Sequence, residues 1–364
     1  MSSENGSSAV SHDKLKNLIR TILRELGIPE EDAEIASNVL IAADLRGVDS
    51  HGVARLKVYA KALRLGLINK NPQMKVLKDS TSAVLVDADN GLGIVTAPRI
   101  MQMCIERARE TGTCTIGTKN TNHFGIAGYY TMMAAEQGML SVCSANTLPL
   151  TAPFGGRERM LGSDPISIGA PAGKYDDFIL DMATATVALG KIEIAIRNKQ
   201  RIPEDWIISP EGRKTDDPND FFRGGALLPM AGPKGYGLAV MVEVFSALLV
   251  GAGVGKDVGY ALLNEQRENI GHFMTAIDVS KFRPLEEFKA DVDKYYEMIK
   301  HSERAEGVKE IFLPGEIEAR TTRQRLETGI PVNAVVAGDV LELAKSLGLC
   351  EEREAFQDLI DRVG

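Results

Sequence analysis

The chain has 364 residues, 44% hydrophobic and 25% charged, which suits one large or two ordinary folded domains and argues against intrinsic disorder. A formal net charge of −8 without a local basic patch argues against nucleic acid or an anionic membrane as partner. No apolar run reaches the roughly 18 residues of a membrane span. Cys104, Cys114, Cys143 and Cys350 are scattered without a CxxC pair, as in a reducing cytoplasm rather than a disulfide or zinc framework.

The opening MSSENGSSAV is small and polar and reads as a disordered tail. Leu15, Leu18, Ile19, Ile22, Leu23 and Leu26 then recur at helical spacing, with Gly27 as the C-terminal cap. Pro29 opens a second helix with Ala33, Ala36, Val39, Leu40 and Ala43 on one face, ending near Gly47. A third helix, capped by Asp49 or Ser50, is predicted to run to about Gly66.

From residue 80 the pattern alternates between strand and helix. SAVLVDAD, TCTIGTKN, MLSVCSAN, PISIGAP, DFILDMA and IGHFMTAID read as strands, and residues 94–110, 183–198 and 234–249 as helices. Residues 201–232, rich in Pro, Gly and Asp, form a long irregular connection of the kind that serves a site or a contact. Helices return at 284–300, 316–329, 336–347 and 351–362. Helical ends around an α/β centre predict an α/β protein with a discontinuous helical domain (1–78 plus 300–364) and an α/β domain (79–299).

Standard cofactor loops are missing. Asn90-Gly91-Leu92-Gly93 lacks the third glycine of GxGxxG and follows Asp87 and Asp89, which would repel a pyrophosphate; there is no GxxxxGK[ST]. The remaining candidate is Gly232-Pro233-Lys234-Gly235-Tyr236-Gly237, where a helix start with small residues and a lysine could receive an anion. A plain helix start with a solvated lysine fits it as well.

Two of the five histidines stand out. In Ser50-His51-Gly52 the histidine opens the third helix, with Arg55 and Tyr59 at i+4 and i+8, so the three drift only about 40° per step and share a face. An arginine fork beside hydroxyls suits a carboxylate. His123, in Asn122-His123-Phe124-Gly125, follows a strand and precedes a helix, where α/β proteins collect site residues, and imidazole can exchange a proton near neutrality. Local chemistry also admits the plain alternatives of a solvated helix start and a turn histidine. His272, in an apolar strand, reads as structural.

In order along the chain, RGVDSHGVARL, DADNGLG, NHFGIAGYY, APFGG, GSDPISIGAP, LDMATATVALGK, GPKGYGLAVMVE, GHFMTAID and LPGEIE resemble the malate/L-lactate dehydrogenase family that lacks the Rossmann fold, over about residues 12–350. That family includes ureidoglycolate, sulfolactate and diketogulonate oxidoreductases and cyclic-imine reductases. The resemblance implies hydride transfer between NAD or NADP, NAD first, and a small 2-hydroxy or 2-keto acid, malate and oxaloacetate first. It implies a non-Rossmann mixed-sheet cofactor domain, a helical domain built from both termini, and a homodimer without a metal.

The same resemblance gives His123 the proton at the substrate oxygen and makes His51 its partner, with Ser50, Arg55 and Tyr59 holding the substrate. Thr147, Asp181-Met182-Ala183, Lys234 and Gly315-Glu316 would line the cofactor cleft. Two positions depart from the family pattern: Asp164 stands where GTNP has Asn, and Pro233 stands where His often precedes the lysine. A cyclic-imine reductase and a non-catalytic nucleotide or keto-acid sensor are the alternative readings.

Overall fold

A computed structural model describes residues 7–261 and 265–349 of the chain. Part of the supposed disordered tail is structured: Ser7–Val10 forms a strand (β1) paired antiparallel with Ile330–Asn333 near the other end of the chain. Val10 is fully buried there, an apolar anchor too short to register as a periodic pattern. Two amphipathic helices follow. α1 (His12–Glu25) buries Leu15, Leu18, Ile19, Ile22 and Leu23, and α2 (Glu30–Leu45) buries Ala33, Ala36, Val39 and Leu40.

The third helix departs from expectation. Asp49–His51 and Val53–Arg55 are separate 3-10 turns, and α3 begins only at Leu56, ending at Arg64. Gly52 breaks the run because its backbone lies against Asp44 of α2: a Cβ there would sit 1.8 Å from Asp44 Oδ1. Asp44 Oδ2 instead accepts the Val53 N–H at 2.8 Å, so the cap comes from the preceding helix and not from Asp49 or Ser50.

The sheet region then unfolds in chain order: β2 (Lys75–Ser80), β3 (Ala83–Asp87), α4 (Gly93–Thr111), β4 (Thr113–Thr121), α5 (Gly128–Ala135), β5 (Met139–Ala145), β6 (Ile166–Ala170) and β7 (Phe178–Met182). β2 has no counterpart in the sequence pattern because all its residues are exposed, leaving no inside–outside alternation. α6 (Leu189–Arg197) starts later than its periodicity suggests, since the Thr184 N–H is held by the Ser163 carbonyl and Ala185 bridges to Pro229. The long connection is ordered: β8 (Ile207–Ile208), α7 (Asn219–Phe222) and β9 (Ala226–Leu227) close over Ile192, Ile202, Phe221 and Leu227.

α8 (Pro233–Glu243) passes into a π-helical turn over Val244–Leu248. β10 (Ile270–Asp278), α9 (Leu285–Lys300), α10 (Glu316–Thr328), β11 (Ile330–Asn333) and α11 (Ala334–Ser346) complete the described chain, and the helix predicted at 351–362 lies outside the described residues.

Seven strands form a mixed sheet in the order β2-β3-β4-β10-β5-β6-β7, in which only β3 and β4 run parallel. A doubly wound cofactor fold needs successive parallel strands, so this topology accounts for the missing glycine fingerprint. One apolar core lies under α4 and α5, with Ile100, Cys104, Ile116, Tyr130 and Met274 fully buried. A second joins α1, α2 and α3 to β11 and α11, bringing both ends of the chain into one cluster.

β4 lies inside the sheet between β3 and β10, and its carboxyl end delivers the loop that carries His123. Asn122 there donates to the Gly91 carbonyl at 2.8 Å, and His272 of β10 meets the Asn122 carbonyl through Nε2 at 3.2 Å while its ring stacks on Phe124. Gly93, at the start of α4, packs so closely that a Cβ would lie 2.0 Å from the Asn122 oxygen and 2.4 Å from that of His123. Both clashes are with backbone. Gly93→Ala is therefore expected to destabilise by about 2–3 kcal/mol and to reduce site function, measured by urea unfolding; an unchanged midpoint would contradict this packing.

Candidate active site

The two motif histidines meet. The rings of His51 and His123 stack with centroids 5.4 Å apart, although they lie on different elements 72 residues apart in sequence (123 − 51). The 3-10 turns replace the continuous helix, yet Ser50, His51, Arg55 and Tyr59 still converge. Ser50 Oγ lies 2.9 Å from His51 Nδ1, Arg55 Nε donates to the Ser50 carbonyl at 2.7 Å, and Tyr59 Oη lies 2.7 Å from His123 Nδ1.

The hydrogen bonds fix the His123 tautomer. Gly125 N–H donates to Nδ1 at 3.3 Å, a contact that Gly125 permits by taking a left-handed φ of 80°. An amide N–H cannot accept, so neutral His123 uses Nδ1 as the acceptor and carries its proton on Nε2. Among the described residues no protein group bonds Nε2. The Tyr59 hydroxyl donates to Nδ1 in this state and, by rotating its O–H, accepts when the ring is doubly protonated.

Electrostatics holds both rings neutral. Burial lowers the His51 pKa to about 3, with Arg55 adding to the shift. Burial also takes His123 well below 6.5, helped by the charges of Arg55, His51 and His272. Both residues retain some solvent access. Desolvation and Arg55 act in the same direction, and both oppose a cation in the free protein. Arg55 itself reaches Tyr260 Oη at 3.3 Å but enters no ion pair among the described residues. A cation without an anionic partner beside two neutral imidazoles suits an incoming carboxylate.

The expected cofactor residues are placed unevenly. Lys234 is exposed and forms no ion pair among the described residues, and a Cβ on exposed Gly237 would meet nothing within 4 Å. That charge and bare helix surface fit a dinucleotide diphosphate. The helix end is less open than expected, because Gly235 N–H already bonds the Met230 carbonyl and Tyr236 N–H that of Gly232.

Asp181, Met182 and Ala183 lie at the end of β7 and retain solvent access. Asp181 Oδ2 accepts the Gly128 N–H at 2.8 Å, and burial raises its pKa to about 6 against that bond and the charge of Arg46. Thr147 Oγ1 accepts from Ser163 N–H at 2.9 Å, and its own N–H donates to Asp164. Asp164 is wholly buried and also receives the Gly162 N–H, so the departure from Asn is absorbed inside the loop.

Gly315 is a left-handed turn residue packed on Ile179. The buried Glu316 carboxylate is bound by Lys300, Arg320 and the Leu313 N–H, and so ties α9 to α10 beside the Gly315 turn.

Two site residues were missed by sequence reasoning. Asp44, whose carboxyl burial raises to about 8, had a readable signal as an acid on the buried face of α2 just ahead of the Ser-His-Gly motif. Glu268 had none. Its Oε2 accepts the His123 backbone N–H at 2.5 Å from a segment 145 residues away.

A model described as malate/L-lactate dehydrogenase matches residues 10–340. The chain belongs to that family. It is 42% identical to the malate dehydrogenase of Pyrococcus horikoshii over 347 residues, covering 93% of this chain and 96% of that protein. Its fold superimposes on the sulfolactate dehydrogenase of Methanocaldococcus jannaschii with a TM-score of 0.88 at 42% identity, covering 93% of this chain and 97% of the other. The malate dehydrogenase structure from Entamoeba histolytica gives 0.90 at 30% identity, covering 94% and 98%. These relatives are dehydrogenases, and the two histidines lie within the matched span.

Tyr59→Phe removes the only hydroxyl bonded to His123 Nδ1 among the described residues. Turnover is expected to fall by about tenfold while stability changes by only about 1 kcal/mol, measured by steady-state kinetics and thermal unfolding; full activity would remove Tyr59 from the proton path.

Proposed function

We propose that this family member interconverts a small 2-keto acid and its 2-hydroxy acid with a nicotinamide cofactor, malate and oxaloacetate being the first candidates. The observation that carries this reading is His123, whose Nδ1 is bonded by Tyr59 and Gly125 and whose Nε2 meets no protein group among the described residues, set beside an Arg55 that enters no ion pair among them. The name of the Pyrococcus horikoshii relative supports malate. NAD or NADP, NAD first, would supply or receive the hydride when bound. Lys234 and the open surface at Gly237 would hold its diphosphate, with Thr147, Asp181, Met182, Ala183 and the Gly315-Glu316 turn bordering the rest.

Arg55 grips the substrate carboxylate and orients C2, with Ser50 and His51 packed beside it. His123 Nε2–H donates to the keto oxygen and polarises it. A carboxylate on Arg55 cancels part of the positive charge that keeps His123 neutral, so the ring gains basicity when substrate is present. The ring takes up a proton at Nδ1, whose N–H the Tyr59 oxygen then accepts. As negative charge develops on the keto oxygen, the Nε2 proton moves to it and leaves a neutral ring protonated at Nδ1; in the reverse direction Nε2 of that tautomer receives the hydroxyl proton. Tyr59 supports either ring state by reversing its hydrogen bond.

We also propose the discontinuous domain arrangement of residues 1–78 with 300–364 around 79–299, supported by the β1–β11 ladder and the shared apolar cluster. A homodimer is supported by exposed Met241, Phe245, Leu248 and Leu249 along α8 and its π turn. A cytoplasmic location is supported by three buried free thiols. No helix among the described residues is long and apolar enough to cross a membrane.

The test is absorbance at 340 nm with oxaloacetate, pyruvate and a cyclic imine, each with NADH and NADPH. Oxaloacetate is expected to be reduced fastest. His123→Ala should lower kcat by about 100-fold or more, and Arg55→Ala should raise KM by about tenfold or more. Faster reduction of the imine would favour a C=N reductase, and cofactor binding with no turnover would favour a sensor.

A further inference from the structure

We propose that Glu268 is a positioning residue for His123, and that occupation of Arg55 by a carboxylate is coupled to uptake of a proton at Glu268. The inference rests on the reading of Arg55 as the carboxylate grip. Glu268 Oε2 receives the His123 backbone N–H at 2.5 Å, so the carboxyl clamps the peptide unit that presents the imidazole. It sits just ahead of β10, whose Ile270 pairs with Thr121 at the end of β4, and so the clamp and the His123 loop share one ladder.

Neither Glu268 nor Arg55 enters an ion pair among the described residues. Among the described residues, the charged and titratable groups facing Glu268 come from four elements: Arg55 on its 3-10 turn, Tyr59 on α3, Tyr260 before β10, and His123 itself. Nearby Lys61 is occupied by Glu265 at 2.9 Å. Burial raises the Glu268 pKa to about 7, against the His123 N–H and the charge of Arg55.

A carboxylate bound to Arg55 weakens the positive charge that favours ionised Glu268 and adds a negative charge of its own. Both changes draw a proton onto Glu268. By linkage, anion binding is strong while Glu268 is protonated and weakens as pH rises through its titration. The histidines, held neutral well below this range, do not account for such a change in the free protein. Their ionisation in the complex is the competing source of proton uptake.

The experiment is calorimetric titration of the NADH-loaded protein with oxamate, a non-reactive keto-acid analogue, from pH 6 to 8.5 in buffers of different ionisation enthalpy. The native chain should take up protons near pH 7.5 and lose about tenfold in affinity across the range. Glu268→Gln, which can still accept the His123 N–H, should lose at least half of the uptake and vary in affinity by about twofold at most. Native-like proton uptake or pH dependence in this variant overturns the coupling and assigns it to the histidines; failure of the native chain to bind oxamate overturns it as well. Because oxamate binding needs no turnover, these outcomes are separable from failure of the dehydrogenase reading. Glu268→Ala should have a kcat about tenfold below that of Glu268→Gln, and equal values would overturn the positioning role.

Discussion

Among the described residues His123 is bonded at one ring nitrogen and not at the other, and the proposed chemistry of the site depends on that asymmetry. Gly125 N–H and the Tyr59 hydroxyl both reach Nδ1, so the proton of the neutral ring lies on Nε2. This needs a left-handed glycine two residues on and a tyrosine from a separate helix. The His123 peptide is then fixed by Glu268, and the preceding Asn122 by the Gly91 carbonyl and His272. The sheet end therefore carries the proposed donor, and the helical elements carry Arg55 and His51 to it.

The same architecture sets the charge state. Desolvation and Arg55 together keep two imidazoles neutral in the free protein. An arginine with no anionic partner would ordinarily be a liability in a partly buried site. In the proposed function it supplies the charge that an incoming carboxylate removes, so that substrate binding itself moves the imidazole toward its proton-transferring form. Asp44 contributes at a distance by capping Val53 and fitting only a glycine at position 52, which sets the direction in which His51 leaves the backbone.

Elements with strong local patterns were legible in the sequence. α1 and α2 follow their apolar stripes, and β4, β5, β7 and β10 fall where β-branched and apolar runs predict them. β1 and β2 were not legible, the first because its partner lies over 300 residues away and the second because it is wholly exposed. The helical reading of residues 49–55 failed because spacing alone cannot reveal the contact between Gly52 and Asp44. The convergence of His51, Arg55 and Tyr59 survived that error, since two 3-10 turns advance the chain to a similar face. The ion-paired brace that Glu316 forms with Lys300 and Arg320 was likewise not legible, since it joins two helices through side chains alone. Glu268 was invisible because its partner is a backbone amide distant in sequence.

A crystal structure with NADH and oxamate bound would test the central claim most directly. The account requires the oxamate carboxylate on Arg55 and its amide carbonyl oxygen within hydrogen-bond distance of His123 Nε2, with Tyr59 still on Nδ1. A carboxylate bound away from Arg55, or a carbonyl oxygen contacted by a group other than His123, would contradict it.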